Sequence, residues 1–241
     1  AIFLCMGLAH TTLYGESPRS AALPDVFATD QLRWALELGS HQYTIPLIDD
    51  GRVYIGVDDI RLDHPAAQST GGGILMCLEQ ATGKQIWQLP IPRNMAGRIE
   101  PYHFNHWKCG VCSRPAIDKN RLYIVGPRGD ILCLDREGQA NGNDGPFLEE
   151  TEYMEVAKDS GYQLTAADGD IIWRFDMIDQ LGVVPHDVCG SSPAIEGDYL
   201  YANTSNGVDG KHKYVANPKA PSLIALDKRT GKEVWRVKRD E

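Results

Sequence analysis

Short runs of alternating apolar and polar residues recur along this chain, each cut off by Gly, Asp or Asn, and the runs fall into a fixed order. A unit opens on a small residue and a proline: Thr44-Ile45-Pro46-Leu47-Ile48, Ser113-Arg114-Pro115-Ala116-Ile117 and Ser191-Ser192-Pro193-Ala194-Ile195. A polar turn then leads into an aromatic strand, around Val53-Tyr54-Ile55, Leu122-Tyr123-Ile124 and Tyr199-Leu200-Tyr201. A third run follows, Ile74-Leu75-Met76-Cys77-Leu78, Ile131-Leu132-Cys133-Leu134-Asp135 and Leu223-Ile224-Ala225-Leu226-Asp227, and a fourth carries Trp87, Trp173 or Trp235. Runs this short, rich in Val, Ile, Leu and Tyr and bounded by turn residues, predict strands joined as hairpins. No stretch inside the units keeps a 3.6-residue apolar period, so helices are expected to be minor.

The approach to the fourth strand repeats almost residue for residue. Leu78-Glu79-Gln80-Ala81-Thr82-Gly83-Lys84-Gln85-Ile86-Trp87 returns as Leu226-Asp227-Lys228-Arg229-Thr230-Gly231-Lys232-Glu233-Val234-Trp235. Self-similarity with four antiparallel strands per unit predicts an all-β propeller of four-stranded blades, about three of them here. The proline markers lie further apart than the roughly 40 to 50 residues of a lean blade. The excess falls in insertions at 58–72, 136–169 and 205–221, with 90–108 joining the first unit to the second. Long loops on a rigid repeat scaffold are where binding chemistry is expected.

The ends set further expectations. Residues 1–8 are apolar and uncharged and 9–15 supply small residues, the pattern of a partial signal peptide, here without an initiating Met. Residues 16–30 read as a linker and 31–241 as a partial propeller domain. Trp34, Leu36 and Leu38 form a lone leading strand, and the chain stops directly after the third Trp strand. Three blades do not close a ring, so the sequence predicts a fragment of a seven- or eight-bladed propeller.

Composition removes some partners. With 42% hydrophobic residues a core can form, and no apolar run reaches the ~18 residues of a spanning helix. A net charge of −9 argues against nucleic acid or anionic lipid as partner. The local basic loop Lys211-His212-Lys213 with Lys219 reads as a solvated insertion.

A strand ending in Leu-Asp, a Thr-Gly-Lys turn and a following Trp resemble the pyrroloquinoline quinone (PQQ) propeller repeat, over residues 34–237. Such repeats build eight-bladed quinoprotein alcohol dehydrogenases and also cofactor-free propellers such as the outer-membrane assembly lipoprotein. A narrower resemblance, to secreted PQQ-like proteins of planctomycete type, lies in Gly110-Val111-Cys112-Ser113-Arg114-Pro115, Asn141-Gly142-Asn143-Asp144-Gly145-Pro146, Pro185-His186-Asp187 and Asn206-Gly207-Val208-Asp209. It implies a periplasmic or extracellular protein and leaves two functions open. One is a non-catalytic binding or scaffold module that takes a protein or glycan through its loop face. The other is a PQQ- and calcium-dependent alcohol or sugar dehydrogenase, an oxidoreductase.

For the second function the resemblance carries over one residue, Asn206, as contact to both calcium and quinone. The same position also reads as a turn Asn before Gly. The adjacent Cys pair of the dehydrogenases is absent, since Cys109 and Cys112 are separated, and no segment supplies their calcium-binding Glu.

Other chemistry is read from the residues alone. His103, His106, Cys109 and Cys112 offer zinc ligands at intervals of three, with a disulfide or buried thiols as alternatives. Cys77 and Cys133 hold one place in successive third strands where the third unit has Ala225, which predicts core thiols lining the inner part of the blades. A Cys112 to Cys189 link is open. The loop Asn141-Gly142-Asn143-Asp144-Gly145, with Asp135 and Glu137 upstream, gathers oxygen ligands as calcium loops do. His186 and Asp187 are adjacent on a strand and so are expected to face opposite ways, which denies them an acid–base role. No nucleophile elbow, phosphate-binding Gly loop or zinc-protease motif occurs.

Overall fold

Each predicted unit folds into one antiparallel meander in the computed structural model, which describes residues 2–6, 32–93 and 106–237. The first sheet runs β3 (Leu47–Asp49), β4 (Arg52–Asp58), β5 (Gly73–Glu79), β6 (Gln85–Ile91); before it, β1 (Ile2–Met6) pairs antiparallel with β2 (Leu32–Glu37). The second runs β7 (Ala116–Asp118), β8 (Arg121–Val125), β9 (Asp130–Asp135), β10 (Asp170–Asp176), and the third β11 (Ala194–Glu196), β12 (Tyr199–Asn203), β13 (Leu223–Asp227), β14 (Glu233–Arg236). The helices are single turns, α1 (Glu150–Tyr153) and α2 (Met177–Leu181). The insertions fall between β4 and β5, β9 and β10, and β12 and β13, as the sequence predicts. The inner strands are only three residues long, and Cys112 lies in the loop before β7.

The sheets pack face to face as blades do. One apolar cluster joins the first and second sheets, with Tyr54, Leu75, Trp87, Leu122, Ile124 and Leu134 buried between them. Another joins the second and third, with Tyr123, Ile131, Trp173, Leu200, Ile224 and Leu226. A third packs Trp34 and Leu36 of β2 against Val53, Ile55 and Leu78 of the first sheet.

The repeated Thr-Gly-Lys turn has a role across blades. The Trp34 indole donates to the Gln80 carbonyl at 2.9 Å, Trp87 to Arg136 at 2.9 Å and Trp173 to Lys228 at 3.1 Å. In each case the acceptor belongs to the turn between the third and fourth strands of the next sheet. The ring then lies on a glycine of that turn: a Cβ on Gly83 would sit 2.5 Å from Trp34, and one on Gly231 2.6 Å from Trp173. Both glycines also have φ near +70°, so the turn needs glycine for its backbone as well as for the indole above it. Gly138 plays the same part beneath Trp87, although its turn has grown into the long insertion.

The cysteines follow from the same geometry. Cys77 faces Trp87 across the ladder, Cys133 faces Trp173 and Ala225 faces Trp235. A small residue is therefore required opposite each indole, in the outer pair of strands. The expected place at the inner part of the blade is corrected on that ground. Cys77, Cys109, Cys112, Cys133 and Cys189 are free thiols, so no Cys112 to Cys189 bridge is present.

Candidate functional site

Each inner strand is preceded by a loop, and the three loops converge. Tyr43 precedes β3, Trp107, Cys109 and Cys112 precede β7, and Asp187, Val188 and Gly190 precede β11; together they line a cleft of about 520 Å³. A second recess of about 310 Å³, bounded by Ser40, His41, Asp58, Asp59 and Ser69, shares Trp107 with it. Trp107 and Tyr43 are each 62% exposed, unusual for large aromatic rings that also line a cleft. Tyr43 is backed by a stacked His41 at 5.9 Å between ring centroids.

Two buried carboxylates fix the walls. Asp58 accepts from the Ser40 and His41 backbone amides at 2.9 and 2.6 Å and from the Ser40 hydroxyl at 2.7 Å. Burial alone would raise its pKa, but these donors hold it below the ordinary carboxylate value. Asp59 gathers the insertion back on itself, accepting from the amides of Thr70, Gly71 and Gly72 at 2.7, 3.2 and 2.9 Å and from the Ser69 hydroxyl at 3.0 Å. The first insertion is thereby tied down. His64 fastens it to the second: its Nδ1 accepts from the Ala66 and Ala67 amides, so Nε2 carries the proton and donates to Asp168 at 2.8 Å.

The oxygen-rich loop of the second insertion does bring carboxylates together. Oxygens of Asp135, Asp144 and Asp170 all lie within 4.8 Å of one another, the one such grouping of three or more His, Cys, Asp or Glu ligand atoms among the described residues. Those are the residues that could share a cation. Glu137, expected beside them, pairs instead with Arg52 at 2.5 Å, while Asn143 donates to buried Glu150 at 2.8 Å. Burial and the nearby charges of Glu150, Asp135 and Asp144 push Asp170 up to about 7, against a hydrogen bond from the Asp144 amide. Asp170 was not legible from the loop, but its register was a usable signal: it stands opposite Asp135 at the end of the hairpin ladder.

The zinc pattern does not assemble. His103 lies outside the described residues, and His106, Cys109 and Cys112 do not converge into a ligand group. Burial pushes the Cys112 thiol up to about 12 and raises Cys109 as well, so both stay protonated at neutral pH.

Asn206 sits where an antiparallel bridge joins it to Pro185, and both ends of its amide are engaged. Oδ1 accepts from the Val184 amide at 3.0 Å and Nδ2 donates to the Asn217 carbonyl at 2.9 Å. The quinone and calcium that the repeat resemblance implies need an open amide oxygen with carboxylate partners and a disulfide platform. The described residues do not fit that set: this amide joins two loops, the carboxylate group forms elsewhere, and Cys109 and Cys112 are free. No step is derived through the cofactor.

His186 and Asp187 depart from the expectation of opposite faces. Asp187 takes a left-handed backbone, φ 55°, which breaks strand alternation and turns its carboxylate to within 3.7 Å of His186 Nε2.

Meanders of this form, stacked through indoles onto glycine turns, define a β-propeller of PQQ-like repeats. The chain belongs to the PQQ-like repeat family described as outer membrane protein assembly factor BamB, whose model matches residues 28–210 and 162–241. Similar solved structures include quinohemoprotein alcohol dehydrogenase from Comamonas testosteroni, at 15% identity over 83% of this chain and 21% of that one, TM-score 0.41. BamB from Moraxella catarrhalis has 15% identity over 86% and 54%, TM-score 0.39, and a europium-containing methanol dehydrogenase 15% over 85% and 26%, TM-score 0.44. The chain thus spans about half of the second and about a quarter or less of the other two. No curated protein matches it.

Proposed function

We propose that the chain is part of a secreted, non-catalytic binding module, periplasmic or extracellular, that takes a glycan in the cleft before the inner strands. The observation that carries this reading is the pair of exposed rings, Trp107 and Tyr43, on one cleft. Flat aromatic faces suit the apolar faces of sugar rings, and Asp187 on the same wall offers a carboxylate to their hydroxyls. A cleft of this size is within the range of small-ligand sites. The dehydrogenase reading would need carboxylate partners beside Asn206 Oδ1, whereas the carboxylates that come together, Asp135, Asp144 and Asp170, do so elsewhere.

The test is calorimetric titration of the chain with a panel of oligosaccharides, followed by Trp107→Ala. Binding that weakens at least about tenfold, with the melting temperature unchanged, supports the proposal; loss of one exposed-ring contact is worth on the order of 1 to 2 kcal/mol. Capture of a protein partner with no glycan bound would overturn the glycan assignment. Dye reduction on adding PQQ, calcium and an alcohol or aldose would overturn the non-catalytic one. Export is checked separately, by fractionating cells that express the gene.

A further inference from the structure

The cleft before the inner strands carries charge of one sign. Asp187 is the one carboxylate among the residues that line it, and no Lys, Arg or His stands with it. The exposed faces of Trp107 and Tyr43 add to this, because the π-cloud of an aromatic ring presents negative charge to whatever stacks on it. Burial raises the Cys109 thiol, and the charges of Asp187 and Asp58 raise it further, so the Asp187 field reaches into the cleft. The cation Lys108 belongs to the recess that shares Trp107. Its stem is seated there on the first insertion, where a Cβ on Gly71 would come within 2.9 Å of it, and Asp58 and Asp59 line the same recess.

The protein does not neutralise Asp187 from within. Its one ion-pair neighbour among the described residues is His186, with Nε2 3.7 Å away, and the hydrogen bonds of that ring fit an uncharged imidazole. His186 Nδ1 lies 3.1 Å from the Val208 carbonyl, which only accepts, so Nδ1 carries the proton. Nε2 lies 2.8 Å from His212 Nε2 and accepts from it. A second proton on His186 would set one N–H against another. Asp209 accepts from the Lys213 and Tyr214 amides at 2.8 and 3.3 Å and closes the loop that carries His212 into a turn, on a left-handed backbone at φ 56°. Asp187 keeps its charge with its side chain 44% exposed, and its own left-handed backbone, φ 55°, is the kind of local strain that surroundings sustain at ligand sites.

We propose that the glycan taken here bears a free amine, as a glucosamine-type unit whose ring stacks on Trp107 or Tyr43 and whose ammonium donates to Asp187. The proposal rests on the glycan reading above and narrows it to one class of sugar. A hydroxyl would give the carboxylate a hydrogen bond with one charged partner, whereas an ammonium brings a charge on both sides and a shorter, stronger bond. The same ammonium is drawn to the aromatic faces. A uronate or sulfated unit would meet Asp187 and both rings with like charge, which costs affinity. N-acetylation keeps the sugar ring and removes the charge, so free and acetylated oligomers differ at the group that Asp187 reads.

The experiment titrates the full chain by calorimetry with the tetramers of glucosamine, N-acetylglucosamine and a uronate, at about pH 6, acidic enough to protonate the sugar amines and above the ordinary carboxylate range. The glucosamine tetramer should bind at least about 10-fold tighter than the acetylated one, and the preference should shrink as salt is raised from about 50 to about 500 mM. Asp187→Asn tolerates the left-handed backbone and should bring the two affinities to within about twofold of each other. Asp198→Asn, in the exposed turn between β11 and β12, changes the net charge by the same amount and should leave the preference in place. An acetylated or uronate tetramer bound as tightly as the free amine, with Trp107→Ala weakening both, would overturn the amine and leave the glycan reading standing. A preference for the amine that survives Asp187→Asn would overturn it as well, as an effect of net charge alone. No binding of any tetramer would overturn both readings.

Discussion

Replacing Asp170 by Asn should stabilise the protein, and only on the alkaline side. Asp170 is buried with Asp135 opposite it in the ladder and Asp144 and Glu150 nearby, and its carboxyl is pushed from an ordinary 3.8 to about 7. The folded chain therefore binds a proton that the unfolded chain has already released between those two values. Stability falls as pH rises through that window and stays reduced above it. A rise of that size, at roughly 1.4 kcal/mol for each tenfold change in proton affinity, sets an upper bound of about 4 kcal/mol. Relaxation of the neighbouring carboxylates brings the working figure to roughly 1 to 3 kcal/mol. Asn keeps an oxygen for the Asp144 amide, 3.1 Å away, and turns an amide group toward the remaining carboxylates. Thermal melts by circular dichroism from about pH 4.5 to 9, with chelator present to keep cations off the three carboxylates, should show the variant matching the wild type at the acid end. At about pH 8 it should melt higher by several degrees, at roughly 2 to 4 °C per kcal/mol for a chain of this size. Equal pH slopes for the two proteins, or a variant less stable at the alkaline end, would refute the reasoning.

Gly231→Ala should cost about 2 to 4 kcal/mol, the sum of a left-handed alanine and an indole displaced from its seat, and should shift Trp173 fluorescence toward the red. Gly51→Ala is the control, since Gly51 has φ 73° but nothing within 4 Å of its added Cβ; chemical denaturation should give it only the backbone part, about 1 kcal/mol, and equal losses at the two sites would rule out any contribution from the indole. Asp59→Ala should free the first insertion by orphaning the amides of Thr70, Gly71 and Gly72, at a cost of roughly 2 to 4 kcal/mol. Tryptic cleavage after Arg61 should accelerate in that variant under native conditions; an unchanged rate would mean that other contacts hold the loop.

How much of this was legible in the sequence depended on the range of the contact involved. Blade frame, strand order and insertion positions follow from periodicity and turn residues within one unit, and these matched the structure. The purpose of the Thr-Gly-Lys turn did not, because its glycine answers to a tryptophan of the preceding blade; Gln80, in the same turn as Gly83, accepts from the Trp34 indole 46 residues away. Cys77 and Cys133 read as core thiols correctly, yet the reason for a small residue is the indole opposite, visible only once the register is known. Alternation failed at Asp187 for a different cause. The rule that neighbours face opposite ways holds only where the backbone stays extended, and a left-handed residue turns the chain enough to put both side chains on one side. His212 reads with its flanking lysines as part of a solvated loop, since composition records charge and cannot record that Asp209 closes the loop into a turn. The contacts missed at Asp187 and His212 therefore lie where the backbone leaves its regular conformation, whereas Asp170 stands in a regular strand and is set by its register against Asp135.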